Sequence, residues 1–150
     1  MKKKITVLLT FLFLTSCGYV PIYSNKNFDF KLDNISSSKD SKLNSKVEKR
    51  LQNFSNQESQ KIISIKIDTQ KIINILVKDS RGDPSRYEMI VNINLETTYN
   101  QKQNISQSFQ ESFNYNENKN KFELKQYEKE IEELLINKNI ERIIVYLSKI

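Results

Sequence analysis

Between Tyr87 and Leu95 every second residue is apolar: Tyr87, Met89, Val91, Ile93 and Leu95 share one parity, and Glu88, Asn92, Asn94 and Glu96 fall on the other. Successive side chains of a strand point to opposite faces of its sheet, so a period of two marks a strand with one buried and one wet face. Such a strand needs neighbours, and the chain supplies three. Phe28, Phe30 and Leu32 alternate with Asp29, Lys31 and Asp33. Ile63, Ile65 and Ile67, continued by Ile73, Ile75 and Val77, occupy one parity of a long strand interrupted by the polar Thr69 and Lys71. Ile105, Phe109, Phe113 and Tyr115 predict a fourth strand after a polar turn around residues 100–104.

Two segments change period. Serines and charges over 36–41 break the first alternation, after which Leu43, Val47, Leu51 and Phe54 recur at helical spacing. From about Lys121 the pattern is helical to the end, with Tyr127, Ile131, Leu134, Leu135, Ile140, Ile143, Ile144 and Leu147 as its apolar stripe. That stripe reads as core packing rather than as a partner-binding helix. The order βαβββα predicts an α+β, two-layer sandwich, with two helices on one face of a mainly antiparallel four-stranded sheet. A single domain over 28–150 accounts for the pattern. The sheet's other face stays open, and Ser64, Lys66, Asn92, Asn94, Ser106, Ser108 and Gln110 fall on it. Amides and hydroxyls of this kind suit water, or the polar interior of a large outer-membrane barrel, equally well.

The N-terminus belongs to none of this. Lys2, Lys3 and Lys4 precede an apolar run from Ile5 to Leu14, and Leu14-Thr15-Ser16-Cys17 closes it with small residues before the chain's one cysteine. This is the layout of a lipoprotein signal peptide over 1–16, with Cys17 as the lipidated residue. An apolar run of about ten residues is too short for a transmembrane helix, which needs about 20. Residues 17–27, with Pro21 barring helix, read as a lipidated tether. Acyl chains on Cys17 would hold the protein in a bilayer, since two lipid signals already suffice for stable anchoring.

Composition narrows the chemistry. The 150 residues include no histidine, so the commonest general base and metal ligand is missing. With Cys17 acylated there is no free thiol and no disulfide partner. Two glycines exclude a Gly-rich phosphate loop. Asp68 and Asp83 sit in no recognisable motif, and lone acids are mostly solvated surface. The expectation is therefore a protein that is not an enzyme, with no metal and no cofactor. The formal net charge is +6, half of it from Lys2 to Lys4, and the remaining excess is too small to argue for nucleic acid.

Cys17-Gly18-Tyr19-Val20-Pro21-Ile22-Tyr23 and Arg81-Gly82-Asp83-Pro84-Ser85-Arg86-Tyr87-Glu88-Met89, together with the order of elements, resemble the outer-membrane lipoprotein of the lipopolysaccharide-assembly translocon, the LptE family. The first motif is similar to that family's mature N-terminus, the second to its hairpin tip, where a glycine turn leads into an aromatic opening the third strand. The last helix departs from the family by carrying Ile, Lys and Asn where relatives often have Ala, Leu and Arg. The resemblance implies a protein lipid-anchored at the periplasmic side of the outer membrane. It also implies that the protein partly fills the lumen of a large β-barrel partner as a plug, assists that barrel's assembly and contacts lipopolysaccharide.

The resemblance puts Arg81 at the family's basic lipopolysaccharide contact beside the tip glycine. Arg86 and Lys78 join it by proximity, because all three are expected within one exposed turn. Guanidinium groups suit lipid phosphates, since they form forked, charge-assisted bonds. Lys119, Lys121 and Lys125 open the last helix, near a second basic contact of the family. Asp79 and Asp83 dilute the tip's positive charge. Two other classes stay open: a scaffolding envelope lipoprotein that binds only protein, and, less favoured, a membrane-anchored enzyme.

Overall fold

The computed structural model describes residues 28–39, 41–99 and 102–150. The signal peptide, Cys17, the Cys17–Tyr23 motif and the tether lie outside these residues. The elements are β1 (Lys31–Ser37), α1 (Lys42–Gln52), β2 (Ile62–Lys78), β3 (Pro84–Tyr99), β4 (Lys102–Asn116) and α2 (Lys121–Lys149). They form the expected α+β two-layer arrangement, with the strands in the order β1-β2-β3-β4. The sheet is mixed. β2, β3 and β4 are antiparallel, whereas β1 runs parallel to β2, with Leu32 opposite Ile63 and Ile35 opposite Ile65. Parallel neighbours need a crossover, and α1 supplies it.

Both helices start where side chains satisfy their free amides. Ser41 Oγ accepts from the Asn44 N–H at 3.1 Å, and Asn120 Oδ1 accepts from the N–H groups of Phe122 and Glu123. Val47 and Leu51 of α1, and Leu135, Ile143, Ile144 and Leu147 of α2, are buried against Ile63, Ile65, Ile67, Met89, Val91, Ile93 and Leu95 of the sheet. Each such side chain contributes about 1.5–3 kcal/mol when fully buried. Leu134 and Tyr127, placed on the predicted stripe of α2, are 41% and 44% exposed, and Leu124 and Ile136 are buried in addition to the rest of it. Among the described residues no helix is long and apolar enough to cross a membrane.

Ions and amides lock the helical layer. Lys46 of α1 reaches Glu132 and Glu133 of α2, both at 2.7 Å, Arg50 pairs with Glu133, and Lys71 of β2 reaches Glu132 at 2.6 Å. Burial pushes the Glu132 carboxyl up, but hydrogen bonds from Lys46 and Lys71 outweigh it and hold the group below the usual glutamate range. The buried Asn44 donates to the Lys39 carbonyl and accepts from the Thr69 N–H, both at 2.7 Å, so it ties α1 to β2.

One expectation fails in a definite place. Ile73, Ile75 and Val77 do not continue the buried row of Ile63, Ile65 and Ile67; they are 42–49% exposed. The reason is coverage. β1 ends opposite Ile67, and the last side-chain bonds from the helices to β2 reach Thr69 and Lys71. Past Thr69 the strand runs on as one arm of a long hairpin. A register irregularity between Ile75 and Val77 then shifts Val77 into pairing with Arg86.

Candidate functional site

The open face follows from the register. Asn92 lies opposite Gln110, Asn94 opposite Ser108 and Glu96 opposite Ser106, and on β2 Asp68 and Gln70 face Asn94 and Asn92. The pairing carries the row to Ser112, Asn114 and Asn116, which continue the same β4 parity. Sequence reading stopped at Gln110, although period two alone would have found them. Ser108 Oγ donates to Asn92 Oδ1 at 2.8 Å, and Thr98 Oγ1 donates to Asn104 Oδ1 at 2.6 Å. Lys66 and Glu96 form one ion pair across the face at 3.7 Å, both about half exposed. A shallow hollow at the β1 end is lined by Asn34, Ser36, Ser64, Lys66, Glu96 and Thr98.

Chemically, the β4 row of this face is an array of neutral donors and acceptors, whereas β2 and β3 add the charges of Lys66, Asp68, Glu88 and Glu96. Amides and hydroxyls can exchange water for another polar surface without the several kcal/mol that desolvating a charge costs. Ile72 and Ile90, opposite one another and next to Ser112, make a small apolar interruption. The helical face of the sheet could not serve this way, because α1 and α2 cover it up to Thr69 of β2 and the residues left open beyond, Ile73 and Ile75, are apolar.

The hairpin tip is built around Asp79. Its Oδ1 accepts from the N–H groups of Arg81 and Asp83, each at 2.9 Å, and its backbone exchanges bonds with Asp83 and Gly82. Gly82 sits at φ +89°, in the left-handed region where glycine carries no side-chain penalty. These amide bonds, from Asp83 first and then Arg81, hold the Asp79 carboxyl below its ordinary range.

The three basic residues do not share one turn. Lys78 is the last residue of β2, Arg86 lies inside β3, and only Arg81 is in the turn itself. Arg81 is 79% exposed, and its guanidinium lies 3.2 Å from Asp79 and 3.8 Å from Asp83. Arg86 follows the register onto the open face, its Nε 3.4 Å from Asn116 Oδ1. Two candidates far apart in sequence do meet. Glu117 donates its N–H to the Ser85 carbonyl at 3.0 Å, which sets the start of α2 beside the tip. The resulting hollow is lined by Asp83, Pro84, Tyr87, Glu117, Lys119 and Lys121. Tyr87 donates to Glu117 at 2.7 Å and Lys121 pairs with the same carboxylate. Lys121 and then Tyr87 hold that carboxyl low, while the bond to Glu117 pushes the Tyr87 phenol up. Lys125 is exposed a turn further along α2 and does not line this hollow.

Among the described residues no group of acidic side chains is arranged to hold a metal ion. No family model and no curated protein matches the chain in sequence. Solved structures do match its fold. Rare lipoprotein B from Shewanella oneidensis is 17% identical at a TM-score of 0.54, covering 75% of this chain and 92% of its own. An uncharacterized lipoprotein B from Nitrosomonas europaea is 11% identical at a TM-score of 0.56, covering 80% and 85% respectively. A minor lipoprotein from Acinetobacter baumannii is 9% identical at a TM-score of 0.54, covering 81% and 92%. The chain thus has a fold found in bacterial lipoproteins. At these identities the likeness is one of architecture.

Proposed function

We propose that this chain is a lipid-anchored subunit of the lipopolysaccharide transport and assembly translocon, held through Cys17 at the periplasmic side of the outer membrane. It plugs the lumen of a large β-barrel partner with its open sheet face and contacts lipopolysaccharide during insertion. It performs no catalysis. The observation that carries this reading is the ladder of neutral amides and hydroxyls from Ser106 to Asn116 and across Asn92 and Asn94, displayed on a fold shared with bacterial lipoproteins. A barrel lumen is polar and wet, so a plug must trade water for polar wall at little cost. Arg81, Arg86 and Lys78, with Lys119 and Lys121 beside the tip, are the groups we assign to lipid phosphates.

Co-purification tests the reading. The tagged full chain, extracted from membranes in mild detergent, is expected to bring down a large outer-membrane barrel; recovery of small soluble proteins alone would contradict it. One observation favours a second reading, a scaffolding lipoprotein that binds only protein: the Arg81 guanidinium already sits between two carboxylates. Absence of lipopolysaccharide binding together with retention of the barrel would select it.

A further inference from the structure

One row of α2 takes no part in holding the domain together. Glu130, Leu134, Lys138, Glu141, Val145 and Lys149 are all exposed and follow one another at steps of three or four residues. Side chains so spaced are neighbours on a helix surface, so the six form a single ridge, about 28 Å long at 1.5 Å per residue. Leu134 and Val145 are 41% and 43% exposed. Among the described residues no ion pair involves the ridge's four charges. Glu132 and Glu133 on the α1 side of the same helix, and Arg142 on the β4 side, are all paired.

The ridge is its own complement. Turned end for end, the series Glu-Leu-Lys-Glu-Val-Lys sets Glu130 against Lys149, Leu134 against Val145 and Lys138 against Glu141. Every charge meets its opposite and each apolar side chain meets another. The two residue numbers of each pair have the same sum, as a single antiparallel register requires. A two-fold axis then generates each pair twice. Parallel pairing would instead set acid against acid and lysine against lysine. Shape agrees with charge, because beside Val145 lies a hollow of about 400 Å³ lined by Phe109, Glu141, Arg142, Val145, Tyr146 and Lys149. The Phe109 and Tyr146 rings meet edge to face there, with centroids 5.8 Å apart. The register that pairs the charges also delivers Leu134 of a second copy to this hollow.

We propose that the α2 ridge from Glu130 to Lys149 is an isologous docking surface whose occupant is a second copy of this chain, bound antiparallel. Leu134 of each copy, seated in the other's hollow, supplies the apolar contact. The charges select direction and register, since exposed ion pairs add little strength singly. A contact between two helix ridges of this length belongs to the small class of interfaces, below roughly 1,200 Å² in total, so association is weak and reversible. The ridge lies on the helical layer, away from the open sheet face, and the inference stands apart from the barrel reading.

The test uses the full chain in detergent micelles. Sedimentation at rising concentration is expected to show a monomer–dimer equilibrium. Lys138→Glu sets like charges against Glu141 and should weaken dimerisation at least about fivefold, and adding Glu141→Lys to it should restore the parental affinity to within about twofold. Oxidation reads the register. A mixture of Leu134→Cys and Val145→Cys chains should form a disulfide between copies in far higher yield than either variant alone, because identical positions lie about 16 Å apart along the paired helices. The parent chain, oxidised alongside, controls for Cys17. Circular dichroism checks the fold, and if a charge variant fails to fold, the cysteine pair still decides. A monomer at every concentration, charge reversal without effect or without rescue, or a mixed disulfide no better than either variant alone would overturn the proposal.

Discussion

Replacing Asn44 by alanine tests the junction that ends the covered part of β2. The side chain is 1% exposed and makes two bonds of 2.7 Å, one to the Lys39 carbonyl and one from the Thr69 N–H. Lys39 is exposed, so water replaces the first bond at little cost. Thr69 is buried, and an unsatisfied buried N–H costs about 1–3 kcal/mol. Alanine returns roughly 0.5–0.7 kcal/mol in helix propensity. The net loss is therefore about 1–2 kcal/mol, or some 3–10 °C in Tm for a domain of this size. Denaturant unfolding of the full chain in detergent measures the first quantity, and amide exchange at Thr69 shows where the loss arises. Asn44→Asp keeps an acceptor for Thr69 but turns a buried carboxylate oxygen on the Lys39 carbonyl, so it should lose at least as much as alanine. Alanine within about 0.3 kcal/mol of the parent, or unchanged amide exchange at Thr69 in the alanine variant, would refute the reasoning.

Three further outcomes follow from the same structure. Glu132 and Glu133 have carboxyls held low, so their contribution is fully present above about pH 4.3, the unfolded value for glutamate, and is lost as pH falls through the lower folded values. Glu132→Gln should thus cost about 1 kcal/mol at neutral pH, discounted for partial exposure, and the gap to the parent should close in acid titrations of unfolding. Arg81→Asp combined with Arg86→Asp should weaken lipopolysaccharide binding by about tenfold or more with the fold intact by circular dichroism, since one well-formed charge-assisted contact is worth roughly 1.5–3 kcal/mol. Unchanged affinity in the folded double variant would move the contact to Lys119 and Lys121. Cys17→Ser should abolish labelling by radioactive fatty acid and leave the leader uncut on gels; a processed, labelled variant would refute the anchor.

What the sequence made legible was what period and parity encode. Met89, Val91, Ile93 and Leu95 announced a central strand with one covered face, and the partner register then made the open face readable from Asn92 and Asn94. Ile143, Ile144 and Leu147 announced a core helix in the same way. Parity says which face a residue shares, but not whether anything lies over that face. Ile73 and Ile75 show the difference, because the end of β1 and the reach of α1 decide their exposure, and both are matters of tertiary coverage. The direction of β1 was hidden for a related reason, since a strand's alternation is the same whichever way its neighbour runs. At the tip, Gly82 marked the turn, but the capture of Arg81 by Asp79 and the meeting of Ser85 with Glu117 depend on how the chain closes.

The most direct measurement of the central claim is a photo-crosslinking residue placed at Asn92 on the open face and, as a control, at Glu141 on the exposed side of α2, in the full chain in intact cells. The account predicts one large adduct from Asn92, identified by mass spectrometry as an outer-membrane β-barrel crosslinked at a lumen-facing position. It predicts no equal yield of that adduct from Glu141. An Asn92 probe that captures no barrel, in cells where the chain is lipidated and present at its normal level, would contradict it.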